Sequence, residues 1–203
     1  MESKVSRSVC LARVISKVTN PCILSVLVLL LIAYTESTNI RIFVGWVTIL
    51  LLFLVLIPLI YVFIRTSRNR SGIKILADPT LFLKQHPKDI LILSLIIGLS
   101  CFAILFFLEA PTLLLGTLMA LIASSVVTAL FNIYYRVSYH LAAVTILVIM
   151  AALTWGHFFF ILLATIPLIS WAKYQIHEHT PVQLAIGIAL SVVIAGLALY
   201  LLG

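Results

Sequence analysis

The sequence predicts an all-α fold, a polytopic membrane helix bundle of about seven spans. Of 203 residues, 64% are hydrophobic and only 9% are charged, less polar surface than a water-soluble domain of this size needs. The apolar runs are unbroken over roughly 20 residues, the length of a helical crossing, whereas barrel strands alternate in polarity over roughly 10. A bilayer offers no water to the backbone, so each N–H and C=O must find its partner inside its own spanning element.

The elements follow in order. A basic lead (Lys4, Arg7, Arg13, Lys17) runs into the first apolar segment, 14–35, with no small-residue cleavage site after it. Lead and segment therefore read as a first membrane helix and not as a cleaved signal. Asn20-Pro21 bends or starts that helix. After a polar turn at 36–40, the second helix covers 41–65 and carries Pro58, a kink position. Residues 66–88 form the longest polar segment, where Arg68, Arg70, Lys74, Lys84 and Lys88 face the single carboxylate Asp78. Its middle, 73–83, is amphipathic enough to lie in the interface.

The third helix covers 89–108, and Glu109-Ala110-Pro111 turns tightly into a fourth over 112–135, with Pro111 suited to its start. A break at Tyr134-Tyr135-Arg136 precedes a fifth helix over 138–154. A turn at Trp155-Gly156-His157 leads to a sixth over 158–171. The polar stretch 171–183, read WAKYQIHEHTPVQ, opens the last helix over 181–202. Residues 1–67 thus form an N-terminal helical part and 68–203 the core of one membrane domain.

Seven crossings put the N-terminus, 66–88, Arg136 and 173–179 on one face. All of the 13 Lys and Arg residues except Arg41 lie there, which marks that face as cytoplasmic. The net charge of +7 sits in those loops and goes with topology and anionic headgroups, not nucleic acid. Cys10, Cys22 and Cys101 are scattered without CxxC spacing, so no disulfide framework is expected.

Three polar clusters share the cytoplasmic face: Lys84 to Lys88, Arg136 to His140, and Lys173 to His179 with Gln183. Cations at helix ends commonly snorkel or follow the charge rule, and Tyr134, Tyr135, Tyr139, Trp155 and Trp171 suit interfacial belts. Local geometry singles out two histidines. Thr180-Pro181-Val182-Gln183 fits a capping box with threonine as N-cap, proline at N1 and glutamine at N3, which places His179 just before a helix N-terminus. Ser138 can cap the fifth helix with His140 in its first turn. Two helix N-termini, each with a histidine and a nearby cation, form an anion site suited to phosphate. Positive surroundings also favour neutral imidazole, the nucleophilic form. His177, Glu178, His179 and His140 could in principle hold a metal. However, side chains two apart on a helix point differently, and no HExxH or cysteine cluster is present, so neither metal nor cofactor is expected. The rest of that stretch, His177 and Glu178, reads as interfacial.

Lys173-x5-His179 with Gln183 four residues on resembles the third signature of the type-2 phosphatidic acid phosphatase superfamily, in which an Arg, five residues, His and then Asp open the last helix. Ser138-x-His140 resembles its second signature, Pro-Ser-Gly-His. Arg136-Val137-Ser138-Tyr139-His140 and His179-Thr180-Pro181-Val182-Gln183 are most similar to a divergent prokaryotic branch reading basic-Ile-Ser-x-His and His-Thr-x-x-Gln. Lys84, His86-Pro87 and Lys88 match the first signature by position and charge only.

The resemblance covers residues 68–203 and implies a phosphatase-type helical core in a prokaryotic cell membrane. It implies hydrolysis of a lipid phosphate monoester or diphosphate through a phosphohistidine. His179 would be the nucleophile and His140 the general acid and base. Lys173, Arg136, Ser138 and Lys84 would bind phosphate, with Gln183 and Thr180 in support. Lysine in place of arginine cannot fork two hydrogen bonds onto phosphate, and glutamine in place of aspartate brings no charge to the nucleophile. Those two departures keep open a non-hydrolytic lipid-phosphate binding or transport protein, and a structural membrane subunit remains the third reading.

Overall fold

The computed structural model describes residues 7–67, 93–132 and 134–202. Among them every regular element is helical. α1 (Arg7–Val18) and α2 (Pro21–Glu36) meet at a 43° bend. Pro21 explains the break, since a proline has no N–H to continue α1 and is well placed at N1 of α2. The Asn20 side chain accepts the Cys22 N–H at 3.0 Å and caps α2. The single helix expected over 14–35 is therefore two.

α3 begins at Ile40, capped by Asn39, whose side chain accepts the Arg41 N–H at 3.0 Å. It runs Ile40–Leu51, passes through a π-turn at Leu52–Leu56 and continues as Ile57–Ser67. Pro58 supplies the reason. In an α-register its ring would press on the Leu54 carbonyl, and the π-register, in which the Ile57 N–H reaches back to Leu52, relieves that conflict. α4 starts as a π-turn, Leu93–Gly98, and continues over Leu99–Phe107. α5 is Thr112–Phe131, α6 Tyr139–Trp155 and α8 Pro181–Leu202.

The sixth expected helix, 158–171, is not one α-helix. A 3₁₀ run, His157–Ala164, leads into α7, Thr165–Gln175. Pro167 is the third residue of α7. It cannot donate to the Leu163 carbonyl, so the turn before it closes with the tighter pattern.

By length and apolarity three described helices can cross a membrane: Ile40–Ile64, Thr112–Phe131 and Pro181–Leu201. The bent α1–α2 pair makes a fourth if counted as one span, while Leu95–Phe107 and Tyr139–Trp155 are apolar but shorter. The chain is thus an all-helical protein with three or four membrane-length spans among its described residues. Lys84, the amphipathic segment 73–83 and the first-signature match lie outside them.

α6 is the central helix and packs against α2, α5, α7 and α8. Leu29, Ile32, Leu50, Leu105, Leu114 and Leu118 join α2 to α5 in one apolar cluster. Ala120, Ile146, Met150 and Ala195 join α5, α6 and α8 in a second. Leu141, Val144, Ile169 and Leu184 tie α6 to α7 and α8 near the α6 N-terminus. Lipid is as apolar as these side chains, so close approach of helices rests on small residues and van der Waals fit. Buried hydroxyls fit the same logic: Thr117, Thr145 and Ser191 each donate to the carbonyl four residues back, at 2.8 Å, and leave no polar demand on the neighbouring helix.

Gly98 makes one such approach obligatory, because a Cβ there would stand 2.8 Å from Ile122 Cγ1. Gly98→Val should therefore destabilise the α4–α5 contact by about 1–3 kcal/mol, read as a lower thermal midpoint in detergent. Ile122→Ala in that background should recover part of the loss. Gly196→Val serves as the control, since nothing lies within 4 Å of a Cβ at that position.

Candidate functional site

Three helix ends and the segment joining α5 to α6 build the site. Asn132 caps α5 and its side-chain amide donates to two carbonyls, Thr128 at 2.9 Å and Val137 at 3.2 Å. Val137 is thereby tied to the end of α5. Ser138 is buried and extended, and its hydroxyl accepts the Leu141 N–H at 3.3 Å as the N-cap of α6. From the other side α8 presents Gly187. A Cβ at that position would lie 3.3 Å from Val137 Cγ1 and 3.6 Å from the Ser138 carbonyl. The backbone of 137–138 therefore sits directly against α8.

The second end is the C-terminus of α7. The Glu178 N–H donates to the Lys173 carbonyl at 3.2 Å and the His177 N–H to the Tyr174 carbonyl at 3.0 Å, the paired bonds of a Schellman motif. His177 takes the left-handed conformation that this motif demands, φ 55°, although it is not glycine. The motif brings the C3 and C″ side chains together, usually as an apolar contact. Here those residues are Lys173 and Glu178, and Nζ donates to Oε2 at 2.7 Å. The Lys173 side chain is 5% exposed and that of Glu178 is 32% exposed. Lys173 also lies in the last turn of α7, where the helix dipole favours a cation.

The third end is the start of α8. Thr180 Oγ1 accepts the Gln183 N–H at 3.4 Å, and Gln183 Oε1 accepts the Thr180 N–H at 3.0 Å. The capping box is reciprocal, with Pro181 as the first helical residue. His179 stands just before it, with Nδ1 3.2 Å from the Arg136 carbonyl oxygen. A carbonyl can only accept, so Nδ1 carries the hydrogen and in the neutral ring Nε2 holds the lone pair. Burial pushes the His179 pKa below the ordinary 6.5, with the Lys173 cation adding to the depression, while the Arg136 carbonyl, Glu178 and Gln183 act in the opposite sense. The cations expected to keep this imidazole neutral are thus a minor cause; desolvation is the main one.

His140 lies in the first turn of α6, and its Nε2 is 3.1 Å from the Thr19 hydroxyl. The 136–140 segment is therefore the common floor of the site: its first carbonyl holds His179, its serine caps α6, and its last residue reaches the α1–α2 junction. Arg136 contributes its main chain, and its residue surface is exposed. Of the residues singled out from sequence, Arg136, Ser138, His140, Lys173, His179, Thr180 and Gln183 occupy this end of the bundle, while Lys84 is outside the described residues. Glu178 is the ion-pair partner of Lys173. Asn132, Gly187 and Thr19 carry no motif signal, because what they do depends on elements distant in the chain. Among the described residues no three His, Cys, Asp or Glu side chains converge as a metal set. Compared with protein-family models, curated proteins and solved structures, the chain matches none of them.

The burial asymmetry of the ion pair makes its two truncations unequal. Glu178→Gln leaves a buried ammonium without its carboxylate and should cost about 3 kcal/mol. Lys173→Met leaves a carboxylate that reaches water and should cost about 1 kcal/mol or less. Thermal unfolding of the two variants in detergent at neutral pH gives the order; equal losses would contradict a buried lysine end.

Proposed function

We propose that this protein is a membrane lipid phosphatase of the phosphatidic acid phosphatase type, acting through a phosphohistidine on His179. The observation that carries the reading is the Nδ1–H bond from His179 to the Arg136 carbonyl, 3.2 Å. It turns Nε2 into the nucleophilic nitrogen and steadies the ring cation that phosphorylation creates, the work an aspartate does in the family's signature. The neutral ring is further favoured by the lowered pKa of His179, and its place before α8 directs the N-terminal end of that helix toward an anion.

In the first step the Nε2 lone pair attacks phosphorus, the bond from phosphorus to the lipid oxygen breaks, and His140 as imidazolium gives its proton to the departing alkoxide. In the second step neutral His140 takes a proton from water as hydroxide attacks phosphorus. The P–N bond breaks, and phosphate and neutral His179 are released. Lys173, Arg136 and Lys84 are the cations assigned to the phosphate oxygens, with Ser138 at their base. The substrate has a phosphate in water and its tail in lipid: phosphatidic acid, a phosphatidylglycerol phosphate, or a polyprenyl phosphate or diphosphate. The seven-segment topology, with α4, α6 and the 3₁₀–α7 pair as short or broken crossings, belongs to this proposal. So do a prokaryotic membrane and a cytoplasmic site.

A second reading is a lipid-phosphate binding or transport protein without turnover, favoured by the Lys173–Glu178 pair. A carboxylate 2.7 Å from the ammonium offsets the charge a transition state would need.

Phosphate release from the purified protein, presented with each lipid phosphate in mixed micelles, separates the two readings. The phosphatase reading expects turnover in wild type, none in His179→Ala, and a loss of about 10²–10⁴-fold in His140→Ala. An acid-labile, base-stable phosphoryl group should be trapped on wild type by rapid quench. Equal release by wild type and His179→Ala ends the phosphatase reading, and saturable lipid binding without release supports the second.

The pH profile follows from the direction of the His179 shift. A lowered pKa means that His179 loses its neutral form only below the ordinary 6.5, so the acid limb of kcat/KM, where Nε2 protonates, should be centred below 6.5. The same depression means that the unfolded chain binds more protons over that window, so His179 contributes stability that is lost as pH falls. An acid limb centred above 6.5 contradicts the assignment.

A further inference from the structure

Thr19 ends α1, 121 residues before its partner in the chain, His140. Its hydroxyl oxygen lies 2.8 Å from the Ile15 carbonyl oxygen and 3.1 Å from His140 Nε2. A hydroxyl has one hydrogen to give and a carbonyl has none. The shorter contact, to a group that can only accept, takes that hydrogen in the usual back-bond of a helical threonine. Toward His140 the Thr19 oxygen is therefore an acceptor, and Nε2 is the donor.

Thr19 is well held for this purpose. Its own N–H donates to the Ile15 carbonyl at 3.0 Å, so backbone and side chain close on the same oxygen. Asn20 next to it caps α2, and Pro21 forces the bend that turns the end of α1 out of line with α2. α1 packs along α7, with Ala12 fully buried, so Thr19 is fixed to the helix that carries Lys173.

We propose that Thr19 is a positioning residue for His140: it fixes Nε2 as the protonated ring nitrogen, so that the proton His140 gains and loses is the one on Nδ1. The catalytic consequence rests on the phosphatase reading; the tautomer does not. With Nε2–H committed to Thr19, the imidazolium delivers Nδ1–H to the departing lipid oxygen as the P–O bond breaks. The neutral Nε2–H ring left behind takes a proton from water onto Nδ1 in the hydrolytic half. The two histidines then work in opposite tautomers. His179, held at Nδ1, reacts at Nε2; His140, held at Nε2, exchanges its proton at Nδ1.

Nitrogen-15 spectra of histidine-labelled protein, taken about two units above the ordinary histidine pKa of about 6.5, read the neutral tautomer directly, with His140 assigned by difference against His140→Gln. The expected wild-type signature is Nε2–H. Thr19→Val, which keeps the shape and removes the oxygen, should shift His140 toward a tautomer mixture and slow turnover by about tenfold, the worth of one neutral hydrogen bond. Thr19→Ser should restore both. A wild-type Nδ1–H signature overturns the proposal without any variant, as does an unchanged His140 signature in folded Thr19→Val. If wild type shows the Nε2–H tautomer and its loss in Thr19→Val but hydrolyses no lipid phosphate, the phosphatase reading fails and the Thr19 assignment stands.

Discussion

The constraint on which the rest of this structure depends is the closure of helix ends where water is scarce. Each helix leaves orphan N–H groups at its start and orphan carbonyls at its finish, and near a bilayer each unsatisfied group costs several kcal/mol. The chain closes them with named groups. Asn20, Asn39, Ser138 and the Thr180–Gln183 pair close N-termini. Paired backbone bonds close the ends of α4 and α7, with Glu109 and His177 in the left-handed conformation. Among the described residues, Ser138, His140, Lys173, Glu178, His179, Thr180 and Gln183 are each such a closure or lie beside one.

The site is a by-product of those closures, and that explains its order. Ser138 caps α6 and so fixes the direction of the backbone from 136 to 140. The Arg136 carbonyl is then aimed at whatever precedes α8, and the capping box of α8 sets His179 in its path. Gly187 allows the two helices to meet at that level. Oxygens that hold imidazoles are thus main-chain or short-chain groups fixed by helix termination. Orientation comes from Arg136, and Gln183 spends its oxygen on the helix.

The same logic separates what was legible in the sequence from what was not. Caps are local, so Ser138 and the Thr180–Gln183 box could be read from spacing, as could the last helix, α8. The bend at Asn20-Pro21 was also local. The Schellman closures were hidden because the usual signal is a glycine at the left-handed position, and here those positions are Glu109 and His177. Glu178 therefore looked interfacial, although C3–C″ geometry makes it the natural partner of Lys173. Thr19 and Gly187 were invisible for a different reason: each matters only through a contact with the 137–140 segment made by folding. The form of the sixth segment was not legible either, because hydropathy ignores backbone chemistry. Residues 158–171 are mostly apolar, yet Pro167 denies them a continuous α-helical ladder.

What chemistry this end of the bundle can perform turns on charge balance more than on the histidines. Both imidazoles are bonded to oxygens in a way that assigns their protons, which suits either a reacting pair or a binding pair. Lys173 is different. Its side chain is almost fully buried, so it cannot shed Glu178 into water without leaving a desolvated cation, and an approaching phosphate must offer at least as good an anion in the same place. A lipid phosphate can do so, since it carries more charge than a carboxylate and more acceptor oxygens. Glu178, a third exposed, can then turn outward to solvent at little cost. The Lys173–Glu178 pair, buried at one end and partly open at the other, is thus the charge balance on which the two readings of this end of the bundle divide.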